Sequence, residues 1–146
     1  GKKYMHIAQH EIEVRYAEPD QMGVVYHANY LVWLELGRTQ IVKELGFNYA
    51  DMEKDGIVSP VMEVKIAYKR PFTYGQKAIV HTWIEEYTGI RTVYGYEIYN
   101  EKGELAVTAT TLHTCVKKDN FRPISLRKHY PDWHEAYEKN KKQLDK

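Results

Sequence analysis

The stretch at residues 14–45 constrains the fold more than any other part of the chain, because it joins a strand directly to a long apolar helix. Apolar and charged residues alternate up to position 16, which predicts a strand. Pro19 fixes φ just before Asp20, so this strand gives way to a turn. After His27 the apolar residues recur at helical spacing, which predicts a helix that ends near Leu45.

Alternating residues predict four further strands after this helix. They lie at 62–69, 77–87, 91–99 and 104–117. Tight turns at Gly89 and Gly103 separate the last three strands, and hairpins of this kind imply antiparallel pairing. We therefore predict an α+β fold in which a five-stranded antiparallel sheet wraps around one long central helix. Residues 1–9 give no strong pattern, and the charged C-terminal residues are predicted to be helical with fraying after Tyr137.

Composition narrows the protein class. The 146 residues, 43% of them hydrophobic, are most simply one globular domain. A net charge of +1 gives no electrostatic support for a nucleic-acid partner. No apolar run approaches the roughly 20 residues of a membrane span, and no signal peptide is visible. These features favour a cytoplasmic protein.

The residues offer no support for a metal or a cofactor. A single cysteine, Cys115, excludes an internal disulfide framework and a cysteine-based metal cluster, and its alternating context favours a buried thiol. The 7 histidines show no paired ligand spacing. Neither a glycine-rich phosphate loop nor a serine-centred nucleophile elbow is present in the sequence.

Residues 16–30 read YAEPDQMGVVYHANY and contain the pattern Asp-x-x-Gly-x-x-x-His-x-x-Tyr, while the helix adds Glu35, Arg38 and Thr39 as Glu-x-x-Arg-Thr. With these motifs the chain resembles the 4-hydroxybenzoyl-CoA thioesterase family of hotdog-fold proteins, and is most similar to the acyl-CoA thioesterases associated with the Tol–Pal cluster. The resemblance covers about residues 10–118, which leaves 119–146 as a tail of the same single domain.

The resemblance implies an enzyme that hydrolyses acyl-CoA thioesters to a free acid and CoA without a cofactor. It also implies a homodimer with two sheets joined edge to edge, often paired again into a homotetramer. The active sites would lie at the dimer interface and draw residues from both chains. Acyl carrier protein is a further candidate partner.

The resemblance puts Asp20 and His27 in the active site and Tyr16 at a position that lines it. Asp20 can act as a general base or as a nucleophile that attacks the carbonyl, and the sequence leaves both open. His27 can orient the carboxylate, bind substrate or share proton transfer. Backbone N–H groups near His27 and Ala28 have no acceptor inside the helix, so they can polarise a thioester carbonyl as an oxyanion hole does.

The remaining candidate residues belong to substrate binding. Gly23 supplies backbone geometry, Asn29 is a helix-start hydrogen bonder, and aromatic residues around the helix start either line an acyl pocket or belong to the core. Phosphates of CoA could meet basic residues near strand ends or after the last strand. The full set of substrate-binding candidates is Gly23, Val24, Tyr26, Ala28, Asn29, Thr39, Lys69, Arg70 and Arg91, with Lys117, Lys118 and Arg122 clustered beyond the last strand.

Glu35 competes with Asp20 for the catalytic role. It lies about two helical turns after His27, with Thr39 one turn further on the same face. A second branch of hotdog thioesterases carries a carboxylate and a threonine at similar spacing. The alternative is a structural ion pair between Glu35 and Arg38. Two other functions stay open: a non-catalytic hotdog module that binds acyl-CoA or acyl carrier protein, and a hotdog hydratase or dehydratase.

Overall fold

The computed structural model describes residues 5–15 and 27–143, with the side chains of the second range described from Asn29 onwards. The described helices and strands follow in the order β1 (Ala8–Glu13), α1 (His27–Glu44), α2 (Tyr49–Lys54), β2 (Ile57–Val58), β3 (Val61–Tyr68), β4 (Lys77–Tyr87), β5 (Arg91–Tyr99), β6 (Leu105–Thr114), β7 (Val116–Lys117), α3 (Leu126–His129) and α4 (Pro131–Asn140).

Five strands form one sheet in the order β1-β4-β5-β6-β3, and every neighbouring pair is antiparallel. Short loops join β4 to β5 and β5 to β6. Gly89 and Gly103 in these loops have φ values of 92° and 79°, a region that costs little only for glycine. The predicted α+β architecture with a five-stranded antiparallel sheet is confirmed.

The helix α1 lies against the inner face of this sheet, in contact with β1, β4 and β5. Alternation divides β4 into two faces, and the fully buried one consists of Ala78, Val80, Thr82 and Ile84. Burying a large apolar side chain contributes roughly 1.5–3 kcal/mol, so this contact supplies much of the stability of the core. From α1, the buried side chains are Tyr30, Trp33, Leu34, Ile41 and Val42.

The helix α1 lies close against β4 at Gly37. A Cβ atom at this position would lie 2.3 Å from Thr82 Oγ1 and 3.0 Å from Val80 Cγ1. The Thr82 hydroxyl is fully buried and has no hydrogen-bond partner among the described residues. Glycine is needed here because the sheet leaves no room for a side chain.

The two short helices of the C-terminal tail, α3 and α4, pack against the core. Trp133 and Tyr137 of α4 are only 4% and 2% exposed. Trp133 stacks on Phe47 with ring centroids 5.0 Å apart, and the hydroxyls of Tyr137 and Tyr94 hydrogen-bond at 2.5 Å. The helix continues to Asn140, so the predicted fraying after Tyr137 is wrong.

The described ranges contain four helices, so the prediction of one long central helix is incomplete. The longest is α1, with 18 residues. The helix predicted after His27 has the bounds expected from its spacing. Within these ranges no helix has the length and apolar character needed to cross a membrane.

Two strand predictions need correction. A register shift between Ile84 and Glu86 places Tyr87 among the buried residues, although simple alternation grouped it with the opposite face. The strand predicted at 104–117 is interrupted at Cys115, whose carbonyl accepts a hydrogen bond from the backbone N–H of Ile124. The last two residues of that prediction form β7, which pairs with β2 in a separate two-stranded sheet.

The edge strand β3 is exposed along nearly its whole length. Its alternation gives one apolar face, but Met62, Val64 and Tyr68 of that face are 60%, 38% and 42% exposed. Only Ile66 is partly covered. Tyr30 packs against Tyr68 at one end of this apolar side, while Met62 and Val64 stay exposed within the described chain, and open edges of this kind readily pair with another strand.

We expect Gly37→Ala to destabilise the fold by about 1–3 kcal/mol, because the new methyl group must displace β4 or α1. At an exposed helical site the same change stabilises by up to about 1 kcal/mol. Urea unfolding measures the difference. Thr82→Ala in the Gly37→Ala background removes the nearest contact and should recover part of the loss; a stabilised Gly37→Ala variant would contradict the close approach.

Candidate active site

Part of the predicted site lies between the two described ranges. The predictions outside the described residues concern Tyr16, Asp20, Gly23, Val24 and Tyr26. His27 and Ala28 open α1, and the structure describes their helical backbone. The site can therefore be built from the start of α1 and from the residues beyond it.

The start of α1 suits a group that develops negative charge. The first backbone N–H groups of a helix have no acceptor within it and lie at its positive end. The first turn begins at His27 and contains no acidic side chain that would neutralise this end. Asn29 in this turn is half-buried. A carbonyl placed at this helix end would be polarised.

The aromatic residues that follow belong to the core. Tyr30 and Trp33 are 2% and 1% exposed. Their rings pack edge to face at 5.0 Å, and both contact Phe72, which is fully buried. Burial raises the pKa of the Tyr30 hydroxyl. Of the two interpretations of these rings, core packing is the one observed.

A cavity of about 240 Å³ opens beside the middle of α1, and we call it the α1–α2 cavity. It brings together Glu35 and Thr39, the pair singled out in the sequence, and adds Arg38 and Ser59. The remaining wall comes from α2 and β2. Its complete lining is Glu35, Arg38, Thr39, Tyr49, Met52, Glu53, Ile57, Val58 and Ser59.

The predicted ion pair between Glu35 and Arg38 is not formed. Arg38 instead donates a hydrogen bond from Nη1 to the hydroxyl of Tyr96 at 3.2 Å. Among the described residues no carboxylate lies within the 4.0 Å of an ion pair with this guanidinium. Glu35 is exposed on the outer side of α1. The three-residue spacing would allow Glu35 and Arg38 to touch, but the Arg38 side chain points inward because the buried strands offer hydroxyl acceptors.

Arg38 begins a chain of hydrogen bonds through the sheet. Tyr96 Oη and Thr111 Oγ1 are 2.6 Å apart, Thr111 Oγ1 lies 2.9 Å from His113 Nε2, and His113 Nδ1 lies 3.2 Å from the Ser59 carbonyl. A carbonyl can only accept, so Nδ1 carries the hydrogen and Nε2 accepts from Thr111. Each hydroxyl then donates in the same direction, away from Arg38.

His113 is held neutral by this environment. It is 2% exposed, and burial together with the nearby Arg38 charge lowers the pKa of its imidazole to about 4. The sequence showed only an isolated histidine on a strand. Its role depends on Thr111 and on Ser59, which is distant along the chain, so no local signal identified it.

The predicted CoA-binding residues lie elsewhere. Arg70 forms an ion pair with Glu104 at 3.4 Å, Lys69 is exposed at the end of β3, and Arg91 lines a cavity on the outer face of the sheet with Glu85 and other residues. None of the three reaches the α1–α2 cavity.

The basic cluster beyond the last strand lines a second and larger cavity, of about 560 Å³. Lys117, Lys118 and His129 lie in its wall beside Tyr130. The Tyr130 hydroxyl donates to Asp55 Oδ2 at 2.7 Å. This cavity shares Ile57 with the α1–α2 cavity, so the two lie on either side of β2. Across the described ranges, no group of three or more His, Cys, Asp or Glu side chains is placed to hold a metal ion.

Comparison with known proteins decides the family. Residues 14–134 match the model of the thioesterase-like superfamily. The chain belongs to this superfamily. The match includes the motif around Asp20, the α1–α2 cavity, α3 and the first four residues of α4, and the architecture is that of the hotdog thioesterases.

Individual relatives agree with the family. YneP of Bacillus subtilis, named as an acyl-CoA thioesterase, is 63% identical over 138 residues, which cover 94% of this chain and 100% of YneP. The crystal structure of a DHNA-CoA thioesterase from Staphylococcus aureus has 53% identity and a TM-score of 0.89, covering 91% of this chain and 89% of that one. YbgC of Escherichia coli, an acyl-CoA thioester hydrolase, is 26% identical over 80% of this chain and 87% of its own length.

These relatives confirm the predicted class of enzyme, an acyl-CoA thioesterase. None of the three is described as a 4-hydroxybenzoyl-CoA thioesterase or as a Tol–Pal-associated protein, so the finer predictions of closeness to those groups are not confirmed.

The low pKa of His113 predicts a specific pH dependence of stability. The ordinary pKa of 6.5 falls to about 4 on folding, so the unfolded chain binds this proton first as the pH drops. The stability that the neutral imidazole contributes is complete above about pH 6.5 and is lost as the pH falls toward 4, by roughly 2 kcal/mol between pH 7 and pH 5. Urea unfolding at the two pH values measures this loss.

His113→Gln removes the titrating group and should make the difference between pH 7 and pH 5 smaller by about that amount. His81→Gln is a matched control, because His81 lies on the outer face of the sheet beside Tyr99. An unchanged pH dependence in His113→Gln would contradict a neutral buried imidazole.

Proposed function

We propose that this chain hydrolyses acyl-CoA thioesters with Asp20 as general base or nucleophile and with the start of α1 as the oxyanion site. The observation that carries the proposal is the position of the helix start. The described helix begins at His27, directly after the segment that holds Asp20 in the sequence. In the proposed site, a thioester carbonyl at this end faces both the backbone amides of the first helical turn and the Asp20 carboxylate.

The chemistry follows from these two parts. As a general base, Asp20 takes a proton from water while the water oxygen attacks the carbonyl carbon. As a nucleophile, its own oxygen attacks and forms an anhydride that water then opens. In both routes negative charge develops on the thioester oxygen, and amide donors near His27 and Ala28 stabilise it; one such donor contributes roughly 3–4 kcal/mol elsewhere. CoA leaves as the thiol once it receives a proton, a transfer that we assign to His27.

Glu35 is the second candidate for the carboxylate. It lines the α1–α2 cavity with Thr39 and forms no ion pair with Arg38, so a structural role in such a pair no longer accounts for it. Its distance along α1 from the helix start places it away from the amides of the same chain. We keep Asp20 as the catalytic carboxylate because it lies in the motif that leads into the helix start, and we use Glu35 as its test case.

Aryl-CoA thioesters are the proposed substrate class. The support is the 53% identity to a protein described as a DHNA-CoA thioesterase. The 4-hydroxybenzoyl-CoA branch, to which the Asp20 motif bears a resemblance, also has an aryl substrate. The Tol–Pal-type assignment remains a proposal that rests on this motif alone. Lys69, Arg70, Arg91 and the Lys117–Lys118 cluster are proposed contacts for the CoA phosphates.

The proposed assembly is a homodimer formed by the β3 edges, with a tetramer as a further step. The support is the exposed apolar side of β3, which pairing with a second copy would cover. Acyl carrier protein is proposed only as an alternative acyl donor. We further propose that residues 1–146 act as one domain around the single long helix α1, in the cytoplasm.

Asp20→Asn should lower kcat for thiol release by about a hundredfold or more, which corresponds to about 2.7 kcal/mol of barrier. The assay compares short-chain, long-chain and aryl acyl-CoAs and also ranks the substrates. Glu35→Gln is the matched variant and should lose less than about tenfold.

Activity that survives Asp20→Asn and disappears in Glu35→Gln would move the chemistry to Glu35. A folded wild-type protein that releases no thiol from any of these esters would instead favour the binding module or the hydratase.

Met62→Glu with Val64→Glu should weaken dimerisation, because four like charges would meet along the paired β3 edges of two copies. Light scattering across a dilution series measures the mass. Ile90→Glu is the control, since Ile90 is 48% exposed in the β4–β5 turn, and β6 separates β5 from β3 in the sheet. An unchanged dimer in the double variant would exclude the β3 edge as the interface.

A further inference from the structure

Arg38 carries a charge that the described protein does not balance. Among the described residues its one hydrogen bond goes to the neutral hydroxyl of Tyr96. Burial raises the pKa of Tyr96 to about 12 and raises the pKa of Tyr94 and Tyr49 as well, so these phenols stay neutral near pH 7. A half-buried cation without a counter-ion is costly, and proteins usually retain one where it meets a ligand or a partner.

The hydrogen-bond chain fixes which side of Arg38 remains free. Tyr96 donates its own hydrogen to Thr111, so its oxygen accepts from Nη1 and holds the guanidinium in place. A guanidinium has five N–H donors in one plane. In the described chain, Thr82 Oγ1 is the only buried side-chain nitrogen or oxygen atom without a hydrogen-bond partner. The other Arg38 donors are therefore accessible, and Arg38 lines the α1–α2 cavity.

The α1–α2 cavity has the size and lining of an acyl pocket. Its volume of about 240 Å³ exceeds that of an apolar protein cavity of about 150 Å³ that holds benzene. Met52, Ile57 and Val58 give it apolar walls, Thr39 and Ser59 add hydroxyl groups, and the exposed Glu35 and Glu53 add carboxylates. An aromatic ring with a polar substituent matches this mixture better than a plain alkyl chain does.

We propose that Arg38 is a specificity-determining residue that binds an oxygen carried on the ring of an aryl-CoA substrate whose acyl group enters the α1–α2 cavity. The inference rests on the proposed thioesterase function and deepens it. A phenol or phenolate oxygen would accept a charge-assisted hydrogen bond from the guanidinium. A ring without this oxygen would leave the buried charge unpaired.

The distance along α1 indicates which thioester the cavity serves. Arg38 follows Ala28 by roughly 15 Å of helix at 1.5 Å per residue, farther than a one- or two-ring acyl group reaches. Tyr30, at the start of α1, packs on Tyr68 at the end of β3 with ring centroids 5.2 Å apart, whereas Ser59 precedes β3. Antiparallel pairing of two β3 edges sets the end of one strand beside the start of the other. Each cavity therefore receives the acyl group held at the helix start of the second copy.

Hydrolysis of benzoyl-CoA and of 2-, 3- and 4-hydroxybenzoyl-CoA tests the inference. Wild type should prefer the best hydroxybenzoyl isomer over benzoyl-CoA by about tenfold or more in kcat/KM. Arg38→Met should bring this ratio to about one. Arg127→Met, which removes an exposed arginine of α3, is the control and should keep the wild-type ratio.

Two further variants protect the test from a folding defect. Arg38→Lys keeps the charge without the planar fork and should retain a smaller preference. Tyr96→Phe keeps the guanidinium and should retain a preference for the hydroxylated ring. A wild-type ratio near one, or equal losses on both substrates in Arg38→Met, would overturn the inference while leaving thioester hydrolysis intact. No turnover of any substrate would overturn the proposed function and this inference together.

Subunit mixing tests the assignment across the dimer. Asp20→Asn and Arg38→Met chains, each poor on the hydroxylated substrate, would form mixed dimers in which one site has both wild-type residues. Refolding the two together should restore activity toward about a quarter of wild type, because half of the dimers are mixed and each has one intact site. No restoration would place Asp20 and Arg38 in the same site of one chain and overturn the assignment across the dimer.

Discussion

The contact between α1 and the sheet at Gly37 sets the geometry on which the rest of the structure depends. With no Cβ at this position, the helix backbone lies directly over Thr82 and Val80. This contact fixes how far α1 stands from the strands. The helix start at His27 and the position of Arg38 over Tyr96 both follow from it, because a helix is a stiff rod over this length. The absence of a side chain at Gly37 therefore helps to position both the helix start and Arg38 in the proposed site.

The sequence predicted the layers of the fold because they depend on local patterns. Alternation in β4 separated its two faces, and helical spacing gave the bounds of α1. The bulge that turns Tyr87 inward and the departure of β7 from the main sheet were missed, since both result from pairing with distant segments. The alternation of side chains along a strand does not show where its pairing with a neighbouring strand shifts register. The apolar side of β3 shows the same limit of local patterns. Alternation identifies this side, but it does not show that most of the side is exposed in the described chain.

The site was predictable to a different degree. The Asp20 motif and the helix that follows it pointed to thioester chemistry, and the family comparison supports this class. The pairing of Glu35 with Arg38 followed the standard rule for neighbours three apart on a helix, yet Arg38 binds Tyr96. That rule describes exposed helix surfaces. Where one neighbour faces a sheet with buried hydroxyls, the tertiary acceptor wins over the local carboxylate.

The hydroxyl contacts of the tail tie the C-terminal helix to the cavity wall. Tyr137 of α4 hydrogen-bonds Tyr94 of β5, which in turn hydrogen-bonds Tyr49 at 2.9 Å, and Tyr49 lines the α1–α2 cavity. The tail thus supports the wall of the α1–α2 cavity without lining the cavity itself. In evolutionary terms, substitutions in the C-terminal helix offer a route to reshape acyl selectivity while the thioesterase motif stays unchanged, so substrate range and catalytic chemistry can diverge independently in this architecture.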